Sequence, residues 1–137
     1  RADMIEGLTM DANSLRDAGS MMGTSGMLVM DEDTDIVAWL RRITQFYHHE
    51  SCGQCTPCRE GTGWLENIVT RIDEGEGNFR DLDLLLDLCT QMEGRTVCAL
   101  ADAAAWPVRY TIDRFRDEFE ARCRPSLVPS GGVLENA

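Results

Sequence analysis

Three cysteines at steps of three, Cys52, Cys55 and Cys58, lie in the stretch Glu50-Ser51-Cys52-Gly53-Gln54-Cys55-Thr56-Pro57-Cys58-Arg59, between two segments of helical periodicity. This spacing lets one loop curl and aim three sulfurs at a common centre, with Gly53 free to take the backbone angles the curl demands. A cubane 4Fe-4S cluster needs a fourth thiolate. The bacterial ferredoxin pattern would place it four residues on, but Thr62 stands there, so the fourth ligand comes from afar. Cys89 continues an apolar helical stripe, where burial as a small hydrophobe explains it. Cys98 belongs to no stripe and precedes an alanine-rich segment, so the expected ligands, of metal and cofactor alike, are Cys52, Cys55, Cys58 and Cys98. Cys123, beside the tail, reads as a free thiol.

Zinc stays open as an alternative, as does a disulfide. Structural zinc usually takes two separated cysteine pairs or mixed Cys and His, and three evenly spaced thiols with one remote partner suit a cluster better. Four cysteines saturate the irons and leave no site for substrate, which favours electron transfer; no catalytic residue is assigned. Arg59 and the amino end of the helix that follows can offset the cluster's negative charge.

Around the cysteines the chain reads as helical. Ile36, Val37, Leu40, Ile43 and Tyr47 form a stripe that predicts a helix over about 34–49, capped by Thr34 or Asp35. Trp64, Leu65, Ile68, Val69 and Ile72 mark a second, closed by Gly75-Glu76-Gly77. A third is expected from about Asp81 to Met92, ended by Gly94. A fourth has Pro107 in its first turn and Val108, Ile112, Phe115 and Phe119 at helical spacing. The expected fold class is mainly α, an antiparallel four-helix bundle carrying the cluster. Before it, Gly19, Gly23 and Gly26 punctuate an irregular region in which Met27-Leu28-Val29-Met30 suits a buried strand. The expected organisation is 1–33 as the end of a small mixed domain, 34–123 as the bundle and 124–137 as a tail. The start at Arg1 suggests a fragment or C-terminal domain.

With 13 basic and 24 acidic residues the net charge is -11, which repels nucleic acid and anionic lipid and points to protein partners. No apolar run reaches the roughly 18 to 20 residues that cross a bilayer. Six cysteines without a secretory signal fit a reducing compartment.

The two blocks Glu50-Ser51-Cys52-Gly53-Gln54-Cys55-Thr56-Pro57-Cys58-Arg59-Glu60-Gly61-Thr62 and Gly94-Arg95-Thr96-Val97-Cys98-Ala99-Leu100-Ala101-Asp102-Ala103-Ala104-Ala105-Trp106-Pro107, with their separation, resemble the flavin- and NADH-binding F subunits of respiratory complex I and bacterial NADH:quinone oxidoreductase. The resemblance spans about 8–121, with Gly26 to Asp31 similar to the end of that family's β-grasp domain. It implies that the four named cysteines hold a 4Fe-4S cluster that takes single electrons from FMN and passes them to a neighbouring subunit. It further implies a place in the peripheral arm of the complex, on the cytoplasmic or matrix side of the membrane. The partners would be a thioredoxin-like 2Fe-2S subunit and a multi-cluster iron–sulfur subunit. Gly19, Gly23 and Gly26 do not reproduce the family's flavin and nucleotide loops, so no FMN or NADH ligand is assigned and this segment alone is not expected to oxidise NADH. Flavin subunits of NAD-linked hydrogenases or formate dehydrogenases are the nearest alternatives, and a zinc-stabilised interaction module is the other.

Lesser signals have ordinary readings. His48 and His49 adjoin the cysteines, but four thiols already complete a ligand set, leaving His49 a role beside the cluster at most. Trp64 and Trp106 read as core. Asp102 meets solvent or a cap, and Met21, Met22, Met27 and Met30 are soft apolar filler. Ala99 and Leu100 are candidates to pack against the flavin.

Overall fold

The computed structural model describes residues 6–124; the expected tail from 125 onward lies outside them. The chain divides into two compact units, Arg1–Thr34 and Asp35–Ala137. It is mostly helical, with one two-stranded pairing among the described residues.

Among the described residues of the first unit the one regular element is a short helix, α1 (Ala12–Asp17), which the sequence reading did not anticipate. The carboxylate of Asp11 starts it by accepting from the N–H groups of Asn13 and Ser14, both at 3.0 Å. The strand expected at Met27 to Met30 is not formed. Met27, Leu28, Val29 and Met30 are 66%, 64%, 87% and 39% exposed, and no described segment pairs with them. A strand without a neighbour has no ladder to satisfy its backbone, so apolar content alone does not make one.

The described residues of the second unit form four long helices. The first, α2 (Ile36–Glu50), starts at Asp35, whose carboxylate accepts from Val37 and Ala38, and it buries Ile36, Val37, Leu40 and Thr44 along one face. The next, α3 (Thr56–Asp73), has Pro57 in its first turn, where a missing N–H costs nothing. It ends in a Schellman turn: Gly75 has φ +74°, its N–H reaches Ile72 O and the N–H of Glu76 reaches Arg71 O. The strand β1 (Gly77–Asn78) leads into α4 (Phe79–Met92), which opens with a reciprocal box: the Asn78 side chain caps the first turn while Asp81 accepts from Asn78 N–H at 2.9 Å. Arg71 grips the same buried carboxylate through two nitrogens, so that a charge 4% exposed is paired.

The last helix, α5 (Leu100–Glu120), corrects the sequence reading. It begins seven residues before Pro107, which therefore lies inside it. The run from Leu100 to Ala105 has strong helix propensity and buries Ala101, Ala104 and Ala105, which offsets the hydrogen bond lost at the proline. The one non-helical residue is Phe115. The helix is followed by β2 (Cys123–Arg124), parallel to β1 with Gly77 opposite Cys123. Cys123 thus packs against the core rather than standing beyond it.

Leu40, Leu65, Ile72, Leu82, Leu85, Met92, Ile112 and Phe119 form one core to which all four helices contribute. Each such side chain, fully buried, supplies roughly 1.5–3 kcal/mol. Two observations orient the helices. Gly61, early in α3, lies so close to Met92, at the end of α4, that a Cβ on it would sit 2.6 Å from Met92 Sδ. At the other end Arg122 bonds Asp35, at the start of α2, and Asp73, at the end of α3, each at 2.6 Å. Arg41 joins the same cluster through Asp73 at 3.0 Å and Glu74 at 3.3 Å. The helices alternate in direction, and the connection from α2 to α3 shares an end with that from α4 to α5.

Candidate metal centre

That shared end carries four of the six cysteines. Cys52 is exposed on the first connection, Cys55 is half-buried and Cys58 is buried. The first turn of α3 takes in the last two, a correction to the expectation of a helix beginning after the cysteines: Cys55 is the N-cap, and its carbonyl accepts from the N–H groups of Cys58 at 3.1 Å and Arg59 at 2.8 Å. Between Cys52 and Cys55 the chain reverses at Gly53, with φ +78°, a region that favours glycine. Arg59 reaches back to this turn, donating from Nη1 to Gly53 O at 3.0 Å and from Nε to Glu60 at 2.8 Å. Its guanidinium and the amino end of α3 both place positive potential here.

Ser51, the C-cap of α2, closes the loop from the other side. Its Oγ lies 3.3 Å from Cys58 Sγ, and Gly53 N–H donates to it at 3.4 Å. Thr62, at the position where a ferredoxin-like ligand would fall, instead donates its hydroxyl to Cys58 O at 2.8 Å and is buried.

Cys98 is exposed on the second connection. Two short bonds shape that loop: Thr96 Oγ1 donates to Cys98 O at 2.8 Å, and Gly94 N–H, at φ +65°, donates to Asp102 Oδ1 at 2.8 Å. Asp102 thereby ties the first turn of α5 to the end of α4. Reading the helix as starting at Leu100 would have put this acid in the first turn, where acids cap. Cys89 is fully buried in α4 and donates its thiol to Ala105 O at 3.3 Å. Burial pushes its pKa up to about 12, so the thiol stays neutral, the state opposite to that of a metal ligand. Burial also raises Cys123, aided by the negative charges of Asp81 and Glu120.

His48 pairs with Glu66, with Nδ1 2.5 Å from Oε2, and its Nε2 lies 3.2 Å from where a Cβ on Gly63 would be. His49 is exposed. Trp64, expected in the core, is 53% exposed; the buried stripe of α3 runs through Gly61, Leu65 and Ile68, and Trp64 falls outside it.

Among the described residues no three Cys, His, Asp or Glu side chains are gathered so as to hold a metal ion. The donor chemistry nonetheless fits a four-thiolate cluster: four free thiols on two adjoining connections, beside a guanidinium and a helix amino end. Among the described residues no helix is long and apolar enough to cross a membrane.

Comparison with known proteins gives the family of the chain. The family model for the NADH-ubiquinone oxidoreductase-F iron-sulfur binding region matches residues 38–122. The mitochondrial 51 kDa subunit of NADH-ubiquinone oxidoreductase from Neurospora crassa is 49% identical over 123 residues, covering 90% of this chain and 25% of that protein. The F subunit of NADH-quinone oxidoreductase from Rickettsia bellii is 50% identical over 119 residues, 87% of this chain and 28% of the relative. The chain thus spans about a quarter of the length of these relatives. Among solved structures, a chain of an NAD+-reducing [NiFe]-hydrogenase in the air-oxidised state superposes with a TM-score of 0.68 at 35% identity, over 74% of this chain and 18% of that one. With more than half of its length matched by the family model, the chain belongs to the NADH-ubiquinone oxidoreductase-F iron-sulfur binding family, whose cofactor is a 4Fe-4S cluster.

Proposed function

We propose that Cys52, Cys55, Cys58 and Cys98 hold the 4Fe-4S cluster at one end of a four-helix bundle, and that the segment is a one-electron relay within an NADH:quinone oxidoreductase. The observation that carries this reading is the Gly61–Met92 contact, which brings the connection bearing three thiols to the same end as the connection bearing Cys98. When bound, the cluster accepts and releases one electron at a time.

The chain's own residues supply the holding and the shielding. Gly53 turns the loop, Arg59 braces it through Gly53 O, and Asp102 and Thr96 shape the loop of Cys98. Arg59 also sets a cation beside a centre of net negative charge. With all four ligands from cysteine there is no room for substrate at the metal, so the segment conducts rather than transforms. In this reading residues 34–123 form the bundle and 1–33 are the end of a β-grasp-like domain. FMN and NADH bind elsewhere in the longer parent subunit. The electron leaves for clusters of a neighbouring subunit, with a thioredoxin-like 2Fe-2S subunit and a multi-cluster iron–sulfur subunit as partners, on the cytoplasmic or matrix face of the membrane.

A second reading, a flavin-subunit segment of an NAD-linked hydrogenase, is favoured by the structural likeness at 35% identity; the identity of about half to NADH dehydrogenase subunits favours the first. Metal and sulfide analysis of anaerobically purified protein tests the cluster itself. Brown protein with about four irons and four sulfides per chain is expected from the cluster stoichiometry; colourless protein with stoichiometric zinc would show an interaction module instead.

A further inference from the structure

We propose that Ser51 is a positioning residue for the cluster, its hydroxyl donating a hydrogen bond to the sulfur of Cys58 and thereby raising the potential at which the cluster accepts its electron. The inference rests on the reading of Cys58 as a ligand.

The direction of the bond follows from the groups around the hydroxyl. Gly53 N–H points at Ser51 Oγ at 3.4 Å and, being an amide, only donates. Oγ therefore accepts on that side, and because a ligating Cys58 is a thiolate with no hydrogen to give, the hydroxyl hydrogen goes to Cys58 Sγ, 3.3 Å away. The backbone of Ser51 is anchored as the C-cap of α2, with its N–H on His48 O, which keeps the residue beside the cysteine loop. The chain from Gly53 N–H through Ser51 to sulfur polarises in one direction, which strengthens its last link.

Burial makes this bond matter more than one at Cys52 would. Cys58 is 7% exposed whereas Cys52 is exposed, so water replaces a lost donor at Cys52 but not at Cys58. Adding one electron increases negative charge on the ligand sulfurs, and a donor to sulfur bonds more strongly to the reduced than to the oxidised state. The step balances simply: one electron enters from an external reductant, no covalent bond forms or breaks, and the proton stays on Ser51 Oγ.

The test is a redox titration of the whole 137-residue chain with dithionite as reductant, followed by low-temperature electron paramagnetic resonance. Ser51→Ala should keep its iron and lose about tenfold in the one-electron reduction equilibrium, a fall of ~59 mV. Ser51→Thr and Ser51→Val separate the bond from side-chain shape, since they are nearly isosteric and only the first has a hydroxyl. Threonine at the wild-type potential with valine as low as alanine supports the proposal. Alanine and valine at the wild-type potential, threonine as low as alanine, or iron lost from all three overturns it. Wild-type chain without iron fails the ligand reading itself, a result distinct from any of these.

Discussion

At the scale of single residues, Cys89 is set apart from the other cysteines by full burial inside α4. A ligand must meet the metal as a thiolate, and Cys89, closed in the core with its pKa raised to about 12, is held as a neutral donor to Ala105 O. Its burial was legible from the apolar stripe on which it sits. Asp35 illustrates a charge used for structure. A hydrogen bond from Arg122, then the N–H of Ala38, holds its carboxyl below the usual range. Its contribution is thus present above the ordinary carboxylate pKa of about 3.9 and is lost as the pH falls through its lower folded value. Asp35→Ala should cost about 1 kcal/mol at neutral pH through the lost cap, and the deficit should shrink toward pH 3. Urea titrations of both proteins between pH 3 and 7 check this, and curves that stay parallel across that range contradict it. Ser51 and Thr62 were not legible as partners of Cys58. Nothing in spacing says that a serine before the first cysteine folds back seven positions, and Thr62 entered only as the place where a ligand was missing.

Among elements, the stripes located all four long helices, because apolar residues at three- and four-residue steps have one way to be buried together. The boundaries were less legible. Cys58 reads as loop chemistry, yet Pro57 is at home in a first turn, and the helix begins through the cysteines rather than after them. Likewise Pro107 reads as a start signal, while the alanine run before it was already committed to helix. The expected strand at Met27 to Met30 failed for a reason outside its own residues, the lack of a pairing neighbour. One prediction belongs here. Adding a methyl at Gly61 forces the buried Met92 to move, so Gly61→Ala should destabilise the chain by about 1–3 kcal/mol. Combined with Met92→Ala, it should cost less than the sum of the two single changes. Thermal melts of the three variants measure it, and a Gly61→Ala protein that melts with the wild type removes the contact that orients α3 against α4.

For the molecule as a whole, the two ends of the helical unit do different work. One is locked by Arg122, Asp35, Asp73 and Arg41 and by the pairing of β1 with β2. The other is made of loops, glycines and thiols, where a metal can be enclosed without breaking helix hydrogen bonds. The choice of Cys98 as fourth ligand came from its freedom from any stripe, and the alternation of helices gives that choice a spatial reason. The measurement that bears most directly on the account is the cluster signal of two single variants, Cys98→Ser and Cys89→Ser, each purified anaerobically, assayed for iron and sulfide, reduced with dithionite and examined by low-temperature electron paramagnetic resonance. The account predicts that Cys98→Ser loses the 4Fe-4S signal while Cys89→Ser keeps about four irons per chain, the cluster stoichiometry. A Cys98→Ser protein with the full signal, or its loss from Cys89→Ser alone, would contradict it.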